Sequence, residues 1–321
     1  MTLVYVAALI SLLLTLIVGV PYLDFLKKSL YGQFIRKEAP ASHAKKAGTP
    51  TAGGIIIVLP AMIGATLGLL MAQKSSLDTF IILLVFALFT FIGFKDDISK
   101  ITRKQNKGLS ARNKLFLQVL IAIIPALYMT FNGERSVSVF GLYNIDLGLL
   151  YPFFAVFVII GASNAVNLTD GLDGLASGTM FIALTAITCL CIITGRFDIA
   201  IVSAAIAGSC LGFLYYNKPP AKIFMGDTGS IALGGVLGTL AVIGKFELLL
   251  IIIGGVFVIE ALSVILQVIS FKTTGKRIFK MSPIHHHFEL LGWSEPKIVY
   301  TFWFVGLILA IVSLVLRYYL S

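Results

Sequence analysis

The sequence predicts an all-α integral membrane protein with about ten transmembrane helices, folded as one polytopic domain over residues 1–321. The first observation is composition: hydrophobic residues make up 58% of the chain, charged residues 12%, and the mean hydropathy is +0.97. Ordinary soluble domains carry about 25% charged residues. The second observation is that apolar stretches able to cross a hydrocarbon core of roughly 30 Å recur along the whole chain. The lipid bilayer is therefore the expected solvent.

The candidate spans follow one another with polar segments between them. The first span is not expected to be a cleaved signal, because no basic residue precedes it and Lys27 and Lys28 follow it. In order, the spans are Leu3–Val20, Ala52–Met71, Thr79–Phe94, Leu115–Phe131, Leu149–Val166, Leu175–Thr194, Ile199–Tyr215, Ser230–Gly244, Leu248–Ser270 and Val299–Leu316. In the segment Asn132–Gly148, alternating valines predict a small β-hairpin.

Basic residues divide unequally between the two ends of these spans. An even number of spans places both termini on one side, and 20 of the 25 Lys and Arg residues fall in segments on the other side. Because basic segments remain in the cytoplasm, both termini are expected to be extracytoplasmic. The net charge of +10 is explained by orientation and anionic headgroups, so no nucleic-acid partner is expected. The cytoplasmic segments are about 26–51, 95–114, 167–174, 216–229 and 271–298.

The unusual polar motifs all fall in these cytoplasmic segments. Acidic side chains close to hydrocarbon are costly unless they are paired or functional. We therefore expect one active-site cleft at the cytoplasmic face. The motifs are Gly-Thr-Pro-Thr-Ala-Gly-Gly ending at Gly54, the pair Asp96-Asp97, Asn167-Leu-Thr-Asp-Gly-Leu-Asp-Gly174, Gly226-Asp-Thr-Gly-Ser230 and His285-His-His287.

Two acidic motifs follow predicted spans. Asp96 and Asp97 are expected at a helix end, with one side chain facing the bundle and the other facing solvent; the alternative is a solvated charge pair. Asn167, Asp170 and Asp173 recur at three-residue spacing, which one helical turn would align on a single side. The alternative for this second motif is a Gly-rich turn with Asx capping.

Asp227 stands just before a predicted span, where a helix N-terminus suits a phosphate group, although simple capping would also explain it. If the motif acids share one site, two like charges 4 Å apart repel by about 4 kcal/mol at an effective dielectric constant of 20. A divalent cation relieves such repulsion. Oxygen ligands beside a phosphate favour Mg²⁺, with Mn²⁺ as a substitute, over zinc.

The run of histidines contains three of the four in the chain. Consecutive residues do not share a helix face, so His285, His286 and His287 are not expected to bind one metal, whereas two of them could reach a phosphate or a sugar hydroxyl. The alternative is a solvated His-rich loop. The candidates for neutralising or donating to phosphate are Lys46, Thr51, Lys100 and Lys114.

Two further positions are ambiguous. Phe224 could stack on a nucleobase beside Asp227, but an aromatic residue at the rim is more often an interface anchor. Glu260 is an acid well inside a span, with Gln267 on the same helical stripe, so it must face protein or a polar groove. The Gly254-Gly255 pair before it permits a bend that would open a lateral cleft for a lipid chain.

With these motifs in this order, the chain resembles the polyprenyl-phosphate N-acetylhexosamine-1-phosphate transferases, over about residues 46–289. The segment Pro283-Ile-His-His-His-Phe-Glu289 is similar to the branch that acts on phospho-MurNAc-pentapeptide. One variation, Ala52 where the family pattern has Met, is conservative.

The resemblance implies ten helices in a bacterial plasma membrane, Mg²⁺ dependence, and transfer of phospho-MurNAc-pentapeptide from UDP-MurNAc-pentapeptide to undecaprenyl phosphate. It also implies Asp227 as a metal ligand, Asp96 and Asp97 as acids with base or metal roles, and His285 and His286 as diphosphate or sugar contacts. The implied substrate-binding residues are Lys46, Thr51, Lys100, Lys114, Asn167, Asp170, Asp173, Asn217, Phe224, Gln267 and His287.

Several alternatives stay open at this stage. The acidic motifs also suit a sibling enzyme that uses UDP-GlcNAc, and a lipid or ion transporter with acids at the bilayer midplane belongs to a different class. Transfer could be a direct displacement or could pass through an aspartyl-phosphate. A homodimer is one option for the oligomeric state.

Overall fold

The computed structural model describes residues 1–28, 48–102 and 108–320, and in this part of the chain it is a helical bundle. Ten described helices are long and apolar enough to cross a membrane, which confirms the predicted number. The helices are α1 Thr2–Lys28, α2 Ile55–Ala72, α3 Leu77–Thr102, α4 Ala111–Phe131, α5 Tyr151–Thr169, α6 Leu175–Ile193, α7 Phe197–Asn217, α8 Gly226–Gly244, α9 Glu247–Ile253, α10 Gly255–Thr274, α11 Ile284–Leu290 and α12 Glu295–Leu320.

Helix α8 lies at the centre of the bundle and is buried along nearly its whole length. Helices α3 and α5 pack directly on it, while α1, α2, α6 and α7 pack against one another beside it. Glycines permit this close packing: a Cβ at Gly234 would lie 2.5 Å from the Ala162 carbonyl oxygen, and one at Gly238 would lie 2.7 Å from the Ile159 Cα. Small residues let membrane helices approach to backbone contact, which holds α5 firmly on α8.

The ninth predicted span is interrupted. Instead of one helix over Leu248–Ser270, the chain forms α9 and α10, with Gly254 between them. The helix is broken at Gly254, one of the two glycines at which a bend is expected, and α10 continues four residues beyond the predicted end. Helix α10 packs against α5, α11 and α12, which brings Glu260 into contact with the histidine segment.

The predicted hairpin is also present. Strand β1, Ser136–Val139, pairs antiparallel with β2, Tyr143–Asp146, so that Ser136 lies opposite Asp146. The Lys245 ammonium donates hydrogen bonds to the carbonyl oxygens of Ser136 and Glu134 and lies 4.3 Å from the centroid of the Tyr151 ring. Burial lowers the pKa of this lysine. The hairpin is thus attached to the α8–α9 junction, at the end of α8 opposite Asp227.

Candidate active site

The Asp96-Asp97 pair lies in the last two turns of α3, and both side chains are buried, with relative exposures of 1% and 2%. The expectation that one of them faces solvent is wrong. Helix α3 continues past the pair to Thr102, the Leu109 N–H donates to Asp96 Oδ1 at 2.7 Å, and the start of α8 covers Asp97. Because protein surrounds both carboxylates, each has hydrogen-bond or ion-pair partners from within the chain.

Asp97 caps the first turn of α8. Its carboxylate accepts the backbone N–H groups of Asp227 at 3.1 Å and Thr228 at 2.9 Å, and the Thr228 hydroxyl at 2.6 Å. These are donors that a helix N-terminus leaves without intrahelical partners. Gly226 makes the approach possible, since its φ is +70° and a Cβ there would lie 2.5 Å from Asp97 Oδ2. Thr228 was part of a recognised motif, but its contact with Asp97 was not predicted.

Asp227 is the meeting point of four helices. Lys100 of α3 lies 2.9 Å and Lys114 of α4 lies 2.6 Å from its Oδ2, each distance measured from Nζ. On the other side, Asn167 of α5 donates from Nδ2 to Asp227 Oδ1 at 2.8 Å and to Ser230 Oγ at 2.8 Å. The predicted convergence of Asp227, Lys100, Lys114 and Asn167 is therefore present in the structure.

The two lysines also contact the acidic pair. Lys100 Nζ lies 2.6 Å from Asp96 Oδ2 and 3.8 Å from Asp97 Oδ1, and Lys114 Nζ lies 3.5 Å from Asp96 Oδ1. Three carboxylates thus face two ammonium groups. One oxygen from each of Asp96, Asp97 and Asp227 falls within 4.8 Å of the others. This acidic cluster offers the hard oxygen donors that a divalent cation prefers, so the residues fit a metal ion.

The Asn167–Gly174 segment does not form the single aligned turn that its spacing predicted. Helix α5 ends at Thr169, and Asp170 is its C-terminal capping residue. Asp173 turns to a different set of partners: its Oδ2 accepts the Ala221 N–H at 2.8 Å, and its own N–H donates to Glu295 Oε1 at 2.7 Å. The glycines of the motif break the helix, so Asn167 and Asp173 do not share a face.

The carboxyl group of Asp170 still interacts with the charges of the acidic cluster. Burial raises the pKa of its carboxyl group well above the usual value, and the carboxylates of Asp227, Asp97 and Asp173 raise it further. The ammonium groups of Lys100 and Lys114, in contrast, face Asp227.

The segment before α2 borders the site. Phe224 donates its N–H to the Pro50 carbonyl at 2.8 Å and accepts the Gly53 N–H at 2.9 Å, so these two stretches run side by side. Thr51 is buried, and a Cβ on Gly226 would lie 2.8 Å from its Oγ1. Phe224 is half-buried beside this pairing. Lys46 lies outside the described residues.

Two residues that are predicted to bind substrate, Asn217 and Gln267, make hydrogen bonds to the protein's own backbone. Asn217 accepts the Gly174 N–H at 3.1 Å and donates to the Ile223 carbonyl at 3.0 Å. Gln267 accepts the N–H groups of Ile278 and Phe279 and donates to the Phe279 carbonyl at 2.8 Å. Their amide groups are thus engaged in fastening loops beside the site, which the sequence pattern did not reveal.

The three histidines occupy the short helix α11, where a loop had been the alternative. Their rings point to different partners: His285 Nδ1 lies 3.1 Å from Glu260 Oε1, His286 Nδ1 lies 2.6 Å from Glu289 Oε2, and His287 Nδ1 accepts the Lys280 N–H at 3.1 Å. His285 is 0% exposed, whereas His286 is half-buried. His285 was expected to contact diphosphate or sugar, but in this arrangement it faces protein.

The ten apolar helices and the cluster of carboxylates and ammonium groups define a polytopic membrane protein with a charged candidate site. Residues 79–245 match the family model described as glycosyl transferase family 4. Nearly the whole chain aligns with proteins named phospho-N-acetylmuramoyl-pentapeptide-transferase: 49% identity over 313 residues in Geobacillus sp. (strain WCH70), covering 96% of each chain, and 48% over 317 residues in Bacillus subtilis (strain 168), covering 97% of each. The chain therefore belongs to glycosyl transferase family 4, among the phospho-N-acetylmuramoyl-pentapeptide-transferases.

Proposed function

We propose that the chain transfers phospho-MurNAc-pentapeptide from its UDP carrier to undecaprenyl phosphate, releasing UMP and forming lipid I. The observation that carries this proposal is the set of contacts around Asp227, where Lys100, Lys114 and Asn167 converge from three other helices. Ammonium groups at this point suit the phosphates of a substrate, and the carboxylates beside them suit the cation that accompanies those phosphates. The names of the relatives support the choice of sugar and lipid.

In this mechanism, a lipid phosphate oxygen attacks the sugar-side phosphorus of the UDP-sugar. A new P–O bond forms as the bond to the UMP oxygen breaks, and UMP leaves with that electron pair. Lys100 and Lys114 turn toward the diphosphate and offset its charge, and Thr51 donates a hydrogen bond to it. Asp227, with Asp96 and Asp97, would hold Mg²⁺, which supplies charge neutralisation on the diphosphate when bound.

Direct displacement is favoured over an aspartyl-phosphate. Asp97 uses its carboxylate to accept three hydrogen bonds from Asp227 and Thr228, and Asp96 accepts the Leu109 N–H and an ion pair with Lys100. Carboxylates engaged in this way are poor nucleophiles. A base is scarcely needed either, because the second pKa of a phosphate monoester is about 6 and the attacking oxygen is mostly ionised at neutral pH.

We infer that the site faces the cytoplasm, where nucleotide-sugars are available. The unequal distribution of Lys and Arg supports this orientation, with both termini outside. Phe224 is assigned to stacking on uracil, Asp170 and Asp173 to the nucleotide side, and His286 to a diphosphate or sugar contact. The break at Gly254 supports a lateral groove beside α10 for the lipid chain.

UMP release by the purified full chain tests the function. UDP-MurNAc-pentapeptide and UDP-GlcNAc are compared with undecaprenyl phosphate present or omitted, in Mg²⁺, Mn²⁺ or EDTA. Release is expected with UDP-MurNAc-pentapeptide only, and only with both lipid and divalent cation. Turnover of UDP-GlcNAc alone would assign the chain to a sibling activity, and no turnover of either substrate would contradict the transferase proposal.

A further inference from the structure

Glu260 and His285 form a fully buried polar pair between α10 and α11. Both side chains are 0% exposed, and His285 Nδ1 lies 3.1 Å from Glu260 Oε1. Their outer atoms, Glu260 Oε2 and His285 Nε2, have no hydrogen-bond partner among the described residues. Burying an acid and an imidazole at this depth costs free energy, so a pair retained here is a candidate for a role beyond packing.

Apolar side chains pack on the two helices that carry the pair, and the ring centroid of His286 lies 4.1 Å from that of His285. The smaller of the two buried apolar clusters consists of Leu172, Leu175, Val256, Ile298, Val299 and Phe302. Val256 stands one turn before Glu260 on α10, and Ile284 and Phe288 of α11 pack against the same cluster. Because both side chains are fully buried, the hydrogen bond between them is stronger than it would be in solvent. The imidazole ring is thus held in one orientation.

The far side of the ring lies against the Asn167–Gly174 segment. A Cβ added at Gly171 would lie 2.3 Å from His285 Nε2 and 2.8 Å from its Cε1, so the glycine backbone is in direct contact with the ring edge. Gly171 directly follows Asp170 and stands two residues before Asp173. The position of the ring therefore determines how closely this segment approaches α11.

We propose that Glu260 is a positioning residue that acts through His285. The carboxylate accepts a hydrogen bond from Nδ1–H, which holds the imidazole in the Nδ1-protonated tautomer and fixes its edge against Gly171. This contact sets the place of Asp170 and Asp173 relative to Asp227. His285 then supports the segment and does not touch substrate. Carboxylate partners orient histidines in this way in many sites. The role rests on the proposed function, because the segment carries its proposed nucleotide-side residues.

Two substitutions separate the hydrogen bond from the charge. Glu260→Gln keeps an oxygen that accepts from Nδ1–H, whereas Glu260→Leu removes the acceptor and keeps the volume. The chain has only four histidines, so ¹⁵N-histidine NMR of the purified full-length protein resolves their tautomers, and His285→Gln assigns the signal. The Nδ1-protonated form is expected in the wild-type protein and in Glu260→Gln, and is expected to be lost in Glu260→Leu.

Kinetics provide the second readout. The kcat of Glu260→Gln should stay within about threefold of wild type, while that of Glu260→Leu should fall by ~10–100-fold, as for other carboxylate partners of functional histidines. The control is Ser263→Ala, one turn further along α10, whose buried hydroxyl donates only to the Glu260 carbonyl at 2.7 Å. Its kcat should match wild type, and thermal unfolding checks that all variants fold.

Persistence of the Nδ1-protonated tautomer in Glu260→Leu would overturn the proposal. So would equal losses of kcat in Glu260→Leu and Ser263→Ala, or a Glu260→Gln protein as inactive as Glu260→Leu. The tautomer is measured without turnover. Wild-type protein that transfers nothing would therefore contradict the proposed function and still leave the orientation of His285 by Glu260 open to measurement.

Discussion

Lys114 Nζ lies 2.6 Å from Asp227 Oδ2 and 3.5 Å from Asp96 Oδ1, so one ammonium group joins two of the three carboxylates of the acidic cluster. Lys100 makes a similar pair of contacts from α3. A lysine in this position competes with a metal cation for the same oxygens and can turn to a phosphate when a metal ion is bound. Competition of this kind can be measured separately from catalysis.

Lys114→Met is expected to tighten metal binding while it slows turnover. Removing the ammonium leaves more negative charge for a cation, so the Kd for Mn²⁺, measured by electron paramagnetic resonance, should fall by about tenfold. The kcat should fall by ~100-fold because one charge that offsets the diphosphate is lost. Lys218→Met is the control, since Lys218 is exposed and lies 5.8 Å from the Tyr215 ring centroid. Weaker Mn²⁺ binding in Lys114→Met would contradict the competition.

Asp227→Ala is expected to abolish turnover in a protein that remains folded and extractable. The substitution removes the only carboxylate that contacts Lys100, Lys114 and Asn167 together among the described residues. UMP release and Mn²⁺ binding are the measurements, with size-exclusion chromatography as the check on folding. Retained turnover would remove Asp227 from the metal site.

Asp97 should contribute to stability through the hydrogen bonds that it accepts from the first turn of α8. Asp97→Ala leaves two backbone N–H groups of α8 and the Thr228 hydroxyl without their acceptor, at a cost of about 2–3 kcal/mol. Thr228→Val removes only the hydroxyl contact, at 2.6 Å, and should cost ~1 kcal/mol. Thermal unfolding should therefore rank wild type above Thr228→Val and Thr228→Val above Asp97→Ala. An unchanged Tm in Asp97→Ala would show that the cap contributes nothing.

Gly171→Ala should impair both folding and turnover, because its methyl group would lie 2.3 Å from Nε2 of the fully buried His285. Gly161→Ala is the control: Gly161 lies within α5, the helix that leads into this segment, and a Cβ there meets no atom within 4 Å. Thermal unfolding and UMP release distinguish the two variants. Equal behaviour of the two proteins would mean that the ring does not restrain the Asn167–Gly174 segment.

Lys245→Met should lower Tm by a few degrees without changing kcat. The substitution removes the donor to the Ser136 carbonyl and the contact with the Tyr151 ring, which together attach the hairpin. A loss of about 1 kcal/mol in a chain of this size shifts Tm by roughly 2–4 °C. Because Lys245 and Asp227 lie at opposite ends of α8, the site should be unaffected. A fall in kcat would indicate coupling between the two ends.

Much of the fold was predictable, because a membrane-spanning helix can be recognised from the apolar composition of a short stretch of sequence. Ten apolar stretches predicted ten helices, and the valine alternation predicted the hairpin. The break at Gly254 was foreseen only as a bend, and the continuation of α3 past Asp97 was not foreseen. Helix ends depend on what covers them, and for Asp97 the cover is α8, which lies 130 residues away in the chain.

The sequence predicted which residues lie together in the site better than it predicted which partner each side chain contacts. Asp96, Asp97, Asp227, Lys100, Lys114 and Asn167 were expected together and are in contact. The hydrogen bonds of Asn217 and Gln267 to backbone groups were not predicted, nor was the contact of His285 with Glu260. A polar side chain in a motif looks the same in sequence whether its partner is a ligand or a distant carbonyl.

By itself, the sequence determined that this is a helical membrane protein and which polar motifs it carries, because burial in lipid and the cost of unpaired acids act on short stretches of chain. Only the tertiary structure decided which side chains meet. Asp97 caps α8, the lysines of α3 and α4 reach Asp227, and Glu260 meets His285 across two helices. These partners are separated by 25 to 131 residues, and only the packing of helices across the bundle brings them within hydrogen-bonding distance.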